Sequence, residues 1–208
     1  MAKIILTSVA RKMLNIIIDN HLPKCPCGLR VAFIPSAANN YRERMWIDED
    51  RKNLKDSGFK VTDVDIVGKN QYELDKMLCN IDIIFVAGGN TFYLLQEAKK
   101  SGFDKLTPEL VSSGVIYIGS SAGSPLAGPT ISPMKYFDDP SEATELTSHD
   151  ALGLVDFFPF VHHGRKKYGE VYSKMLTVLH ESKINYVLLT DKQGIVIEDD
   201  HIEIIETI

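Results

Sequence analysis

Short apolar runs alternate with amphipathic stretches along most of this chain, and that alternation restricts the fold more than any other feature of the sequence. Five runs have strand character, and each leads into a segment with helical periodicity. The predicted strands cover residues 3–7, 29–35, 59–67, 81–87 and 115–119, and the helices cover 10–18, 42–55, 71–78, 91–100 and 122–127. Repeated strand–helix units form a parallel sheet, because right-handed crossovers place helices on both of its faces. The sequence therefore predicts a doubly wound, mostly parallel α/β fold.

The strand–helix rhythm changes past residue 131. Residues 132–150 are predicted to form a polar, acidic loop, which is long for an idle connection in a compact domain. Earlier in the chain, Thr107-Pro108-Glu109 predicts a helix start, since a hydroxyl N-cap precedes a proline there. The remaining elements are strands at 154–161 and 186–190, a helix at 168–180, and a short C-terminal β-hairpin formed by 195–198 and 202–205 around Asp199-Asp200-His201. With no linker visible, the 208 residues are predicted to form a single domain, 1–208.

Charge and apolar content exclude several classes of partner. The formal charge of −5 argues against nucleic acid, because phosphate binding needs a basic face. No apolar run approaches the roughly 18 residues that span a bilayer, so no membrane association is expected. The first residues lead directly into a strand without a basic leader, which predicts a cytoplasmic protein, either a monomer or a homodimer.

The three cysteines do not form a recognisable chemical site. They cannot all pair within one chain, which favours a reducing compartment. Cys25-Pro26-Cys27 has one residue between its sulfurs where zinc and redox motifs have two, and no second pair matches it. We therefore expect no metal and no organic cofactor.

The segment Gly119-Ser120-Ser121-Ala122-Gly123 is the sharpest chemical signal. It has the form G-x-S-x-G between an apolar strand and a helical segment, the context of a nucleophile elbow. In such a turn the second serine, Ser121, projects its hydroxyl from the C-terminal edge of the sheet. The backbone N–H of Ala122 then faces an oxyanion formed on attack. An ordinary Gly/Ser-rich turn between strand and helix is the alternative interpretation.

A second glycine turn, Gly88-Gly89, closes the preceding strand. Consecutive parallel strands often lie side by side, so both turns are predicted to open at the edge where substrates bind. We assign Gly89 as a second oxyanion donor and Asn90 as a substrate contact. The alternative, a phosphate-binding turn, lacks both common phosphate-binding patterns.

A serine nucleophile needs a base, and two of the six histidines follow a predicted strand end. These are His162 and His163, at the end of the strand 154–161. The spacing alone does not distinguish them.

Taken together, these segments resemble the dipeptidase E family of serine peptidases, also called α-aspartyl dipeptidases. The similarity is densest in 88–92, in 117–123 with 127–131, and in 151–155 ahead of the histidines. It implies a class I glutamine amidotransferase-like fold and a serine peptidase acting on small peptides. It also implies that His162 is the base. Ser120 and Ser124 replace the family's usual Trp and Ala at positions expected to flank the pocket.

The acid that orients the histidine is the least defined member of the predicted triad. Asp138 and Asp139 lie in the loop between nucleophile and base, where the family places an acid. Asp191 follows the strand 186–190 and is a second candidate at a sheet edge. We favour the loop pair over Asp191.

A basic cluster follows the proposed base. It runs from Arg165 to Lys167 in an otherwise acidic chain, and Arg165 is predicted to bind a substrate carboxylate through paired hydrogen bonds, which would favour an N-terminal Asp. A solvated helix start is the plainer interpretation of this cluster. The predicted function is a serine peptidase forming an acyl-enzyme on Ser121. An esterase or amidase on another small substrate and a non-catalytic binding module of the same fold are the alternatives.

Overall fold

The computed structural model describes residues 2–23, 25–199 and 201–207. Its strands are β1 (Lys3–Thr7), β2 (Arg30–Ile34), β3 (Lys60–Asp63), β4 (Ile83–Val86), β5 (Ile116–Ser120), β6 (Phe158–Phe160), β7 (Tyr186–Leu188), β8 (Gln193–Glu198) and β9 (His201–Glu206). Its α-helices are α1 (Ala10–Ile16), α2 (Met45–Asp56), α3 (Gln71–Leu78), α4 (Thr91–Ser101), α5 (Phe103–Ser112), α6 (Gly123–Leu126) and α7 (Gly169–Glu181). The predicted order of strands and helices is confirmed over the first 131 residues.

Seven strands form the central sheet in the order β3-β2-β4-β5-β1-β8-β9. The first five of these run parallel, and β8 pairs antiparallel with β1. The predicted doubly wound, mostly parallel α/β fold is therefore confirmed. Because the strands are parallel, the carboxyl ends of β1, β4 and β5 meet at one edge, and each leads there into a turn and a helix.

Alternation along the strands divides the core between the two faces of the sheet. In β4, Ile84 and Val86 pack on one face with α4, α5 and α7, whereas Ile83 and Phe85 pack on the other with α1 and α2. Both faces are therefore covered, and the central strand β4 is apolar and buried along its whole length, as a parallel strand between two helical layers requires.

The C-terminal third departs from the expectation in one respect. The predicted strand 154–161 shortens to β6, which pairs with β7 in a separate two-stranded parallel sheet instead of joining the main one. The hairpin of β8 and β9 is confirmed, with register from Gln193↔Glu206 to Glu198↔His201. Asp200, which the sequence places in its turn, lies outside the described residues.

The prediction that a helix begins at Thr107-Pro108 is wrong. Helix α5 begins at Phe103, directly after Gly102, whose left-handed backbone (φ 79°) ends α4 and starts α5. Phe103 and Leu106 are buried in the core, and their burial stabilises a helical turn ahead of the proline. Local capping signals were overridden here by tertiary packing.

The turn from β5 into α6 is closed by two glycines that have no room for a side chain. A Cβ on Gly123 would lie 2.2 Å from the Val86 carbonyl oxygen of β4, and one on Gly119 would lie 2.5 Å from the Gly123 carbonyl oxygen. The close approach fixes α6 against the end of β4, and so it fixes the position of the residues between the glycines.

In the part of the chain that the structure describes, no helix combines the length and apolar character needed to cross a bilayer.

We predict that Gly123→Ala lowers the free energy of unfolding by about 1–3 kcal/mol or more, because the added methyl overlaps the Val86 carbonyl. Urea denaturation followed by circular dichroism measures this. Gly169→Ala is the matched control, since a Cβ there meets no heavy atom within 4 Å at the start of α7. That control should be neutral or stabilise by up to about 1 kcal/mol. Equal stability of Gly123→Ala and wild type would contradict the packing argument.

Candidate active site

Three side chains that follow three different strands form a continuous hydrogen-bonded chain. The Ser121 Oγ atom, after β5, lies 2.9 Å from His162 Nε2. The His162 Nδ1 atom, after β6, lies 2.7 Å from Oδ1 of Asp191, which follows β7. A hydroxyl, an imidazole and a carboxylate in this order have the geometry of a nucleophile, its base and the group that orients the base.

Two of these three residues adopt a backbone conformation that non-glycine residues rarely occupy. Ser121 has φ 51° and His162 has φ 61°, both in the left-handed region. Such strain persists only where the surroundings determine the conformation. At Ser121 the surroundings are the glycines of the turn and the backbone N–H of Ser121, which donates to the Thr7 carbonyl oxygen at 3.0 Å.

His162 is held on every side. Its backbone N–H donates to the Ser8 hydroxyl at 2.8 Å, and that hydroxyl donates to the Leu189 carbonyl at 2.9 Å. The Tyr172 hydroxyl donates to the His162 carbonyl. The Phe137 ring stacks against the imidazole, with centroids 5.8 Å apart. The imidazole orientation is therefore set by packing before any substrate arrives.

The histidine next in the chain is placed differently. The His163 ring packs against Phe160 and Tyr172 with centroids about 6 Å apart. Its backbone N–H donates to Leu189. Of the two histidines that the sequence left as alternatives, only His162 contacts Ser121.

Arg165 contacts Asp191, the carboxylate that bonds to His162. Its Nε and Nη2 atoms each lie 2.8 Å from Asp191 Oδ2. The predicted substrate contact is therefore corrected in part: Arg165 lines the cavity beside Ser121, but two of its nitrogens are engaged with Asp191. The sequence did not show this, because the two residues are separated by a helix and a strand.

The loop acids favoured by the sequence do not reach His162. The Asp138 carboxylate accepts hydrogen bonds from the backbone and hydroxyl of Thr91, the first residue of α4. The exposed Asp139 accepts from the Ser141 backbone. Asp138 thus fastens the loop 132–150 to the N-terminus of α4, where the helix dipole favours a negative charge. The carboxylate that contacts His162 Nδ1 is that of Asp191, and not that of Asp138 or Asp139, which the sequence favoured for this place.

The groups predicted around an oxyanion are also placed by the fold. Neither the Gly89 nor the Ala122 backbone N–H has a hydrogen-bond partner among the described residues. Gly88 lies directly against Ser121, since a Cβ there would be 2.9 Å from the Ser121 Cβ. The predicted substrate contact of Asn90 is not what the geometry shows. The Asn90 side chain is buried, caps α4 through the backbone N–H groups of residues 92 and 93, and donates to the Asp139 carbonyl.

Burial and charge act in opposite directions on the two titratable groups. Burial lowers the pKa of His162 below its ordinary value, although the hydrogen bond that the ring donates to Asp191 partly offsets this. Burial would raise the pKa of Asp191, but hydrogen bonds from His162 and Arg165 outweigh it and hold that pKa far below its ordinary value. At neutral pH the pair is a neutral imidazole beside an ionised carboxylate, the state in which Nε2 can accept a proton.

A cavity of about 270 Å³ opens beside Ser121. This volume is just below the range of drug-sized ligand sites, roughly 300 to 1,000 Å³, and therefore suits a small substrate. Its lining comes from the ends of β1, β4, β5 and β6, from helices α1 and α2, and from the segment before α7. These residues are Ser8, Val9, Arg11, Trp46, Asp50, Gly88, Ser120, Ser121, His162 and Arg165. Sequence reasoning missed Ser8, Arg11, Trp46 and Asp50. Ser8 directly follows β1. The rule that ligands bind at the carboxyl ends of parallel strands could therefore have found it. Trp46 and Asp50 reach the cavity from α2, and no such rule identifies them.

Ser124 lies away from this cavity, contrary to the expectation. It is fully buried, and its hydroxyl bridges the backbone of Thr7 and the Gly119 carbonyl, joining the ends of β1 and β5. Ser120 does line the cavity, and its Oγ accepts from the Ala10 backbone.

No group of three or more His, Cys, Asp or Glu side chains within 2–23, 25–199 and 201–207 is arranged to hold a metal ion. Cys25 and Cys27 are exposed, with sulfurs 3.0 Å apart.

Comparison with known proteins places this chain in a family. Residues 5–205 match the model of peptidase family S51. The chain belongs to that family. It is therefore a peptidase, and the resemblance to the dipeptidase E family is confirmed.

The relatives of this S51 peptidase carry matching names. An uncharacterized peptidase of Listeria monocytogenes is 37% identical over 150 residues, covering 72% of this chain and 73% of the relative. Peptidase E of Streptomyces coelicolor is 34% identical over 135 residues, covering 64% and 50%. A crystal structure of a Listeria monocytogenes EGD-e protein assigned as a peptidase E superposes with a TM-score of 0.91 at 30% identity, over the full length of both chains.

We predict that His162 of this S51 peptidase titrates below 6.5, because burial disfavours the imidazolium. Asp191→Asn should lower that pKa further, since the carboxylate stabilises the charged ring. The His162 Cε1 proton shift, followed by NMR between pH 4 and 9, measures both values. Asp139→Asn is the control and should leave the titration unchanged, because Asp139 is exposed and makes no contact with the ring. A His162 pKa above 6.5 would contradict the prediction.

Proposed function

We propose that this protein is a serine peptidase that hydrolyses small peptides through an acyl-enzyme on Ser121. The observation that carries the proposal is the hydrogen-bonded chain from Ser121 to His162 to Asp191, positioned on the wall of a small cavity in a chain that belongs to a peptidase family. The reaction needs no cofactor, since the serine route generates its own nucleophile.

In the first half of the reaction the Ser121 Oγ attacks the scissile carbonyl carbon while His162 Nε2 takes the hydroxyl proton. The positive charge formed on the imidazole is stabilised by Asp191, which also holds the proton on Nδ1. When the C–N bond breaks, His162 returns its proton to the leaving amine and the acyl group stays on Oγ. Water then attacks the ester, with His162 again taking and returning a proton, and releases the acid.

The negative charge on the carbonyl oxygen needs donors that are in place beforehand. The backbone N–H groups of Ala122 and Gly89 are suited to this role, because neither has a hydrogen-bond partner among the described residues. Ala122 directly follows Ser121, and Gly89 follows Gly88, which lies against Ser121. Gly89 has no room for a side chain, since a Cβ would lie 2.1 Å from the Ala37 carbonyl oxygen. This packing keeps the glycine turn rigid.

Arg165 acts as a positioning residue in this scheme. Its Nε hydrogen bond and its Nη2 ion-pair contact hold Asp191 ionised and aimed at His162. Arg11 also lines the cavity, and both arginines are already paired with protein carboxylates: Arg165 with Asp191, and Arg11 with Glu49 and Asp50. The proposed preference for an N-terminal Asp requires a substrate carboxylate to share one of these guanidinium groups.

We predict that a fluorophosphonate probe labels wild type and Ser120→Ala, but leaves Ser121→Ala unlabelled. Of these two serines, Ser121 has its hydroxyl against the His162 imidazole, whereas Ser120 Oγ accepts from the Ala10 backbone. Gel fluorescence and intact-protein mass spectrometry measure the labelling. Labelled Ser121→Ala would mean that the elbow register is wrong, and an unlabelled but folded wild type would favour the non-catalytic binding module.

A dipeptide panel then distinguishes peptidase from esterase chemistry, since hydrolysis of esters alone would support the esterase alternative. Within that panel, faster cleavage of Asp-Leu than of Asn-Leu supports the acidic preference.

We predict that Asp191→Asn lowers kcat/KM by about 10³–10⁴-fold, since the amide cannot hold the catalytic tautomer of His162 or stabilise its charge. Asp138→Asn should cost less than about tenfold, because Asp138 contacts Thr91 and not the imidazole. Steady-state kinetics on the best dipeptide of the panel measure both. A larger loss for Asp138→Asn than for Asp191→Asn would assign the acid to the loop.

A further inference from the structure

Asp50 brings a buried carboxylate to the wall of the cavity that contains Ser121. It lies on α2 and is 3% exposed. Its Oδ1 atom has no hydrogen-bond partner in the part of the chain that the structure describes. The nearest cation is Arg11, whose Nη1 lies 3.5 Å from that oxygen, and Arg11 is shared with the more exposed Glu49.

A buried carboxylate oxygen that has left water and gained only a long ion-pair contact with Arg11, at 3.5 Å, is incompletely compensated. Buried polar groups in native proteins nearly always have a partner, so an exception indicates a missing one. Burial raises the pKa of Asp50 to about 6, with Arg11 opposing the shift. At neutral pH the group is mostly ionised, and the missing partner is accordingly a cationic donor.

The cavity determines how far that cation is from the reacting carbonyl. Asp50 and Ser121 line the same space of about 270 Å³, so the cation belongs to the part of the substrate next to the scissile bond. In a peptide the α-nitrogen of a residue lies about 2.5 Å from its own carbonyl carbon. A lysine side-chain ammonium is several bonds further away and would need a longer pocket.

We propose that Asp50 binds the free α-ammonium group of the substrate's first residue. This assignment rests on the proposed function, because it places the carbonyl of that same residue at Ser121. It assigns to Asp50 the recognition of the free N-terminus that a dipeptide substrate carries. Trp46 also lines this cavity, and its indole N–H donates to the Gly88 carbonyl at 3.3 Å.

The first test compares peptides that differ only at the α-nitrogen. Asp-Leu and Ala-Leu are assayed beside their Nα-acetyl derivatives with wild type, Asp50→Asn and Glu49→Gln. We expect wild type to prefer the free amines in kcat/KM by about ten- to a hundredfold, as a hydrogen bond to a charged group warrants. Asp50→Asn should bring that ratio close to one by losing activity on the free amines.

Glu49→Gln is the matched control. It removes a carboxylate that contacts the same Arg11, at 3.2 Å from Nε, yet Glu49 does not line the cavity. This variant should retain the preference for free amines. A merely structural role of Asp50 would lower activity on free and acetylated peptides alike and leave the ratio unchanged, which would overturn the proposal.

The second test measures binding without turnover. Isothermal titration of Ser121→Ala, alone and combined with Asp50→Asn or Glu49→Gln, gives the Kd of each free and acetylated dipeptide. We expect tighter binding of free amines by about ten- to a hundredfold, lost only in the combination with Asp50→Asn. Equal Kd values for the two peptide forms, or no binding of either, would overturn the proposal. Fluorophosphonate labelling of wild type reports separately on Ser121, so a failure of the serine mechanism is distinguished from a failure of the Asp50 assignment.

Discussion

The left-handed backbone at Ser121 is the constraint on which the site depends. It exists because the turn between β5 and α6 is packed so closely against β4 that neither Gly119 nor Gly123 has room for a Cβ. The same turn is fastened to β1 through the Ser121 backbone N–H and the Ser124 hydroxyl. Three strand ends therefore determine the direction of one hydroxyl, and the free N–H of Ala122 comes with it.

The proposed base, His162, is held by a different part of the fold but also in a left-handed backbone conformation. His162 follows a short strand of the small second sheet, and its left-handed backbone is fixed by Ser8, which follows β1 of the main sheet. This hydrogen bond joins the two sheets at the site. The charges follow from the placement: Arg165 keeps Asp191 ionised, and burial keeps His162 neutral. The pair is thus ready to accept a proton.

Sequence patterns predicted the strand and helix order well, because apolar alternation reports burial directly. The predicted helix 71–78 coincides with α3, where Asn70 and Glu73 form a capping box. The errors arose where tertiary packing opposed a local signal. Burial of Phe103 and Leu106 places the start of α5 ahead of its proline. The strand predicted after residue 154 pairs with β7 and not with the main sheet.

The sequence by itself determined the turn that contains Ser121, because only glycines at 119 and 123 permit the close packing of this turn against β4. It also predicted that His162 or His163 lies at the same edge of the sheet, since both follow a predicted strand. Only the tertiary structure decided which acid faces the imidazole. Asp138 is nearer in sequence, but the N-terminus of α4 binds it, while the pairing of β6 with β7 brings Asp191 to His162. The position of Asp50 beside Ser121 likewise depends on the tertiary structure, because it results from the packing of α2 against the sheet. Contacts between residues on separate elements depend on how those elements pack. A local sequence pattern does not encode the distance between two such residues.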